Sequence, residues 1–215
     1  IETVGRLADD SENAERFASG PDAGQVRLLP RVAERPVVVF PRVPLHILPN
    51  HEVTFYVSSP VWVEISVGPP WVALEAVPTK RLSDTWFGPS TREGEVAFAL
   101  KTQARVRLAD IPRKAHRVLT PVIVKNRSAE LLPITRLNLP VPYLSVFHTD
   151  QGDLWTEAVV LEHKGDSEMA NLRITPGAPP EADGGTHLSD PRLTAEDNLL
   201  VRAFSSVLRT LDLED

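Results

Sequence analysis

The sequence predicts an all-β protein: an antiparallel β-sandwich, immunoglobulin-like or jelly-roll-like, of about ten to twelve strands, with a C-terminal amphipathic helix. Three observations carry this. Short runs rich in Val, Ile and aromatic residues recur at intervals of about 8–12 residues, with Pro, Gly, Asn or Ser between them. No helical pattern of about 10–15 residues lies between these runs, so βαβ units are not expected. The chain has 215 residues and 20 prolines, scattered through apolar runs rather than gathered in one tract. Proline cannot donate to a ladder, so this scatter predicts many strand ends and corners.

Residues 1–24 read as a polar lead-in, with a short helix around Ser11–Ala18 that Gly20-Pro21 ends. The β-domain spans 25–175. It opens with the runs "QVRLLPRV", "RPVVVFPRV", "HEVTFYVSS" and "VWVEISVG". In the last of these the alternation is strict. Val61, Val63, Ile65 and Val67 share one face and Trp62, Glu64 and Ser66 the other, which predicts a strand with one face on a core. "WVALEAV", "GEVAFAL", "ARVRL", "VLTPVIV" and "LLPITRLNL" continue the series. "SVFH" and "LWTEAVVLEH" flank "TDQGD", whose Asp and Gly predict a hairpin turn. "MANLRITP" closes the domain. In "RLNLPVPYLSVF", Pro140 and Pro142 are expected to mark where a strand leaves one sheet for the other, with Leu139, Val141 and Leu144 filling the corner. Residues 176–193 read as a loop or tether. Residues 194–215 read as a helix capped by Thr194, with Leu200, Phe204, Val207, Leu208 and Leu211 on an apolar stripe available to a protein partner or a second copy.

Composition excludes several functions. Lys and Arg total 23 against 29 Asp and Glu, for a net charge of −6. The densest basic stretch, Arg105 to Arg117, is itself interrupted by Asp110, so nucleic-acid binding is not expected. No apolar stretch approaches the roughly 18–20 residues of a membrane-spanning helix. There is no cysteine, which removes disulfides, thiol nucleophiles and Cys-ligated metals. With no visible signal peptide, a cytoplasmic location is the expectation, an upstream segment before Ile1 being left open. His46, His51 and Glu52 flank a Pro49-Asn50 turn and are not expected to converge on a metal. No cofactor motif appears.

Three functional readings remain. The leading one is a non-catalytic protein-interaction or structural module, working through its apolar stripe and open strand edges, as a homodimer or with another protein. The second is a carbohydrate or small-ligand module in which Trp71, Trp86, Phe87 or Trp155 offers a stacking surface. The third is a hydrolase that brings together two of the strand carboxylates Glu64, Glu75, Glu95, Glu157 and Glu162. No catalytic residue is assigned.

Three stretches carry a family resemblance: "LSDTWFGPSTREGEV" (82–96), "TPVIVKNRSAELLPITRLNLPVPYLSVF" (120–147) and "GDLWTEAVVLEH" (152–163). Together they resemble the prokaryotic domain-of-unknown-function family 432, over roughly residues 25–175. That resemblance implies no chemistry, so no site residue comes with it. Within the middle stretch, the strand–Asn126–turn–strand order is similar to units of immunoglobulin-like sandwiches, where Asn takes the left-handed conformation of the turn.

Overall fold

The structure is a computed structural model that describes residues 24–101, 103–165, 169–194 and 199–205. Eighteen strands run through these residues. In chain order they are β1 (Gln25–Arg31), β2 (Val37–Val39), β3 (Leu45–Ile47), β4 (Glu52–Pro60), β5 (Trp62–Gly68) and β6 (Val72–Pro78). Next come β7 (Ser83–Phe87), β8 (Glu95–Ala99), β9 (Arg117–Asn126), β10 (Leu132–Ile134), β11 (Arg136–Leu139) and β12 (Val146–His148). The last six are β13 (Leu154–Trp155), β14 (Ala158–His163), β15 (Met169–Thr175), β16 (Thr186–Ser189), β17 (Leu199–Arg202) and β18 (Phe204–Ser205). The protein is all-β, as the alternating runs predict. Strands outnumber the expectation because prolines and bulges cut long runs into pieces of two to four residues.

The sheets are mixed rather than purely antiparallel, and they curl into a half-barrel. An eight-stranded sheet is built around β9. Strand β4 pairs with it antiparallel along one edge, from Arg117 to Lys125, and β13 and β14 pair with it in parallel along the other. The β13 side continues to β12 and β16, and the β14 side to β15 and β17. A five-stranded sheet runs β18-β11-β2-β8-β7, with β2 and β8 parallel. A three-stranded sheet runs β1-β5-β6, and β3 pairs with β10. One apolar core joins them: Phe55, Val122 and Leu161 from the largest sheet, Val37 and Leu137 from the five-stranded sheet, Trp62 and Ile134 from the others.

Pro121 sits inside the central strand β9, where a missing N–H should break the ladder. The neighbouring strand explains why it does not. Leu119 lies opposite Trp155 and Val122 opposite Val159, so β13 and β14 carry one more residue than β9 over this interval. The resulting bulge at Thr156–Glu157 lies beside Pro121. Thr156 N donates to Leu119 O at 2.9 Å, which fixes the edge that Leu119 faces, and Pro121, two residues on, faces the same edge. The buried hydroxyls of Thr156 and Thr120 bond each other at 3.0 Å. The carboxylate of Glu157, also buried, accepts from the Ser145 amide at 2.7 Å.

Ser145 belongs to the double-proline corner. Strand β11 lies in the five-stranded sheet and β12 in the eight-stranded one, joined by a 3-10 turn at Val141–Tyr143. Leu139, Val141 and Leu144 are buried there, as the corner reading requires. The "TDQGD" hairpin also forms: Phe147 pairs with Trp155 and His148 with Leu154, with Gly152 at φ 86° in the turn.

Three expectations are corrected. There is no α-helix among the described residues, and the helix expected from Thr194 onward is replaced over 199–205 by two strands. Strand β17 adds to β15, with Leu199 opposite Leu172 and Val201 opposite Ala170. A short apolar run fits either period, and the open edge of β15 decides it. Val207, Leu208 and Leu211, like the short helix expected around Ser11–Ala18, lie outside the described residues. Second, residues 176–193, read as a loop or tether, form a loop that contributes β16 to the large sheet and is anchored by side chains. The Tyr56 hydroxyl donates to Glu181 at 2.7 Å, Ser189 Oγ to Pro30 O at 2.6 Å and Arg192 Nε to Val32 O at 2.8 Å. Burial, together with that carboxylate, pushes the Tyr56 phenol up to about 12. Third, Asn126 does not take a left-handed conformation; among the non-glycine described residues only Asn50 has positive φ.

Asn126 is instead a fully buried junction. Its Nδ2 donates to Ile47 O at 2.9 Å and Glu130 O at 2.7 Å, and its Oδ1 accepts from the Ser128 amide at 3.0 Å and hydroxyl at 2.7 Å. This joins β9, β3 and the loop into β10. Replacing it strands the buried Ile47 carbonyl, at about 1–3 kcal/mol, and also removes the bonds to Glu130 O and to the Ser128 amide and hydroxyl. Urea unfolding should therefore show Asn126→Ala destabilised by about 3 kcal/mol. A loss under about 1 kcal/mol would mean water replaces the amide freely.

Candidate functional site

The three-stranded sheet has two unlike faces, set by the period of two. Inward point Trp62 and Ser66 of β5, both buried; Trp62 packs on Phe98 at 5.5 Å between ring centroids. Glu64 lies on the same face and accepts from Arg31 at 2.9 Å. The other face carries the aliphatic residues. The registers Val26–Val67–Val72, Leu28–Ile65–Glu75 and Pro30–Val63–Val77 give three rows across β1, β5 and β6. Eight of these nine positions are apolar. Val26 is 67% exposed, Leu28 63%, Val72 58% and Val77 42%, while Val63, Ile65 and Val67 on the middle strand are half-buried.

The alternation of "VWVEISV" predicts one core face, and over Val63–Val67 that face is the side of Trp62 and Ser66 rather than the aliphatic one. Trp62 buries more apolar area than a valine, and the Arg31–Glu64 pair fills the space beside it, so this side turns inward. Of the charged positions on the outward grid only Glu75 is present, on edge strand β6. Among the described residues β1 and β6 each form a ladder only with β5, so both are edge strands, with Ser189 Oγ meeting Pro30 O on the β1 side.

The residues singled out in the sequence do not come together. Trp71 is 40% exposed in the turn before β6, with the Arg27 guanidinium 4.6 Å above its ring. Trp86 is 42% exposed on β7, in another sheet, and its Nε1 donates to Ser90 O at 2.7 Å. Phe87 and Trp155 are fully buried and present no face to a ligand. Of the C-terminal stripe, Phe204 is buried in the core and Leu200 is 58% exposed. Among the described residues no group of three or more His, Asp or Glu side chains could hold a metal ion.

One strand carboxylate has a different setting. Glu95 lines a cavity of about 300 Å³ together with Glu34, Arg35, Asn138, Tyr143 and Arg202. Asn138, itself buried, donates from Nδ2 to Glu95 Oε1 at 2.7 Å and to Arg202 O at 3.2 Å, and its backbone N donates to Ala203 O at 2.9 Å. Burial pushes the Glu95 carboxyl above its ordinary value, against the opposing pull of Asn138 and Arg202. The other strand carboxylates are spoken for or exposed. Glu64 pairs with Arg31, Glu157 holds Ser145 N, Glu162 meets Lys164 at 3.3 Å and Glu75 faces solvent.

Residues 2–209 match the family model described as "Protein of unknown function (DUF432)". The match extends well beyond the three stretches that carry the resemblance. No curated protein and no solved structure matches the chain.

Glu95 gives a pH signature. Its folded-state value is raised, so its contribution to stability is full below the ordinary value of 4.5 and is lost as pH rises through the raised one. Chemical unfolding of wild type and Glu95→Gln across pH should show the two converging below pH 4.5, with wild type losing stability relative to the variant above it. Parallel pH profiles would show that the carboxyl is no less ionised in the fold than in the unfolded chain.

Proposed function

The chain belongs to the DUF432 family, whose description hands down no activity, and we propose that it is a non-catalytic interaction module that self-associates through the open face of β1-β5-β6. The observation that carries this reading is the grid of eight apolar residues in nine positions, with its four most exposed members on the edge strands. At about 4.8 Å between strands and 3.3 Å per residue, the grid measures roughly 10–15 by 15 Å. That is the size of an apolar interface centre rather than a whole interface, which needs about 800 Å² from each partner.

The occupant follows from the character of the face. It carries no cation and one carboxylate, so a charged peptide finds little to recognise. What fits is another aliphatic sheet face, packed about 10 Å away as sheets pack within a core. A second copy supplies such a face, and a twofold arrangement asks only that the patch match itself. Covering one strongly exposed Val or Leu contributes about 1.5–3 kcal/mol. Against the roughly 4–15 kcal/mol cost of association, four such residues per protomer give a concentration-dependent dimer rather than a permanent one.

Sedimentation velocity over a dilution series should show wild type passing from dimer to monomer. Leu28→Lys and Val72→Lys, at exposed positions, should be monomeric throughout with unfolding midpoints close to wild type. Glu75→Leu, which removes the carboxylate from the grid, should hold the dimer to lower concentration. A wild type that stays monomeric, or lysine variants that associate as well as it does, would overturn the reading.

A further inference from the structure

The outward face of the eight-stranded sheet carries a second feature, independent of the aliphatic grid. Strands β9, β14 and β15 lie side by side, and their alternation sends Val124, Asn126, Leu161, His163 and Leu172 inward, all buried. The intervening residues therefore share the outer face. In one row Lys125, Glu162 and Asn171 are partners across the three strands. In the row below, Ile123 and Val160 lead to Arg173. Above, Arg127 lies beside Lys164, its backbone N donating to His163 O at 2.8 Å. Lys125, Arg127, Glu162, Lys164, Asn171 and Arg173 line a cleft of about 310 Å³ whose floor is Val160.

Four cations and one carboxylate thus share one cleft on a chain of net charge −6. Like charges on adjacent strands stand about 5 Å apart at the backbone and repel. The acidic groups do not balance them. Glu162 is shared, 3.3 Å from Lys164 and 4.0 Å from Arg127, and Glu52 meets Lys125 at 3.0 Å. Arg173 has no ion-pair partner among the described residues. Asn171, between Glu162 and Leu200, adds an amide on the same face. Planar guanidiniums, ammoniums and an amide converging on a concave surface form a donor set suited to a multivalent oxyanion.

We propose that this cleft binds a small phosphate-bearing anion, with Arg173, Lys164 and Arg127 as its charged ligands and Asn171 as a neutral donor. The neighbouring cavity, about 490 Å³, shares Arg127 and Lys164 as a common wall and adds Ser128 and His163. The organic part of a phosphorylated ligand would extend there, because the basic cleft itself has little apolar lining beyond Val160.

Isothermal titration of the full chain with pyrophosphate tests this directly. Wild type should bind with an affinity that falls as salt is raised, and Arg173→Gln or Arg127→Gln should weaken it about tenfold each, the scale of one lost charge-assisted hydrogen bond. Glu162→Gln should tighten it. Asp150→Asn, which makes the same change of net charge in the remote β12–β13 turn, should leave it unaltered. A phosphate monoester that binds more tightly than inorganic phosphate would bring in the neighbouring cavity. No measurable heat with pyrophosphate, or an Asp150→Asn effect equal to that of Glu162→Gln, would overturn the assignment and leave only diffuse surface charge.

Discussion

Strand β9 must satisfy backbone groups on both edges while carrying a proline, and the rest of the molecule is arranged around that constraint. One edge is met by β4 along nearly its full length. The other is met by two short strands with a bulge between them, placed where Pro121 has no proton to give. The bulge is not slack. Its hydroxyls pair with each other, and its Glu157 carboxylate reaches the corner where the chain passes between the two large sheets. A single missing N–H thereby fixes where the sheet divides into two branches and where the inter-sheet corner is tied down.

The chain passes directly between the two large sheets at β8–β9, at β11–β12 and at β17–β18, and Asn138 stands beside the last of these. From Leu139 the chain enters the large sheet by way of the prolines, and at Ala203 it leaves that sheet for the smaller one. Asn138 binds the backbone at Arg202 and Ala203, and its amide also holds Glu95. One buried amide therefore links the crossing point to the floor of a cavity. Burial there keeps the Glu95 carboxyl less ready to ionise than one in water, and the Asn138 bond only partly offsets this.

Much of this architecture was legible in the chain. The period of two, the scattered prolines and the Asp-Gly turn are local signals, and they lead to an all-β fold, a corner at Pro140–Pro142 and a hairpin at 149–153. What was not legible depended on neighbours. "LLVRAF" fits a helix or a strand equally, and only the free edge of β15 selects the strand. "VWVEISV" shows plainly that two faces differ, but not which is inside; Trp62 decides that by packing on Phe98, from a distant run. Trp155 and Phe87 read as ligand platforms because aromatic residues next to polar ones resemble exposed positions, yet both fill the interior. The basic cleft left no trace in sequence, because Lys125 and Arg127 lie far along the chain from Lys164 and Arg173, and only the pairing of β9 with β14 and of β14 with β15 brings them together.

Strands β17 and β18 lie at the edges of two different sheets, one residue apart in the chain. That placement has a consequence for how the protein is made. Until residues 199–205 have been synthesised, β15 and β11 each present an unpaired ladder edge, and Leu172 and Leu137 lack their final neighbours. Neither large sheet can close ahead of the other, because the same few residues close both. Closure of this region therefore waits on residues 199–205, and a chain that lacks them exposes two adhesive edges at once. The same seven residues, once in place, cover both edges in one step.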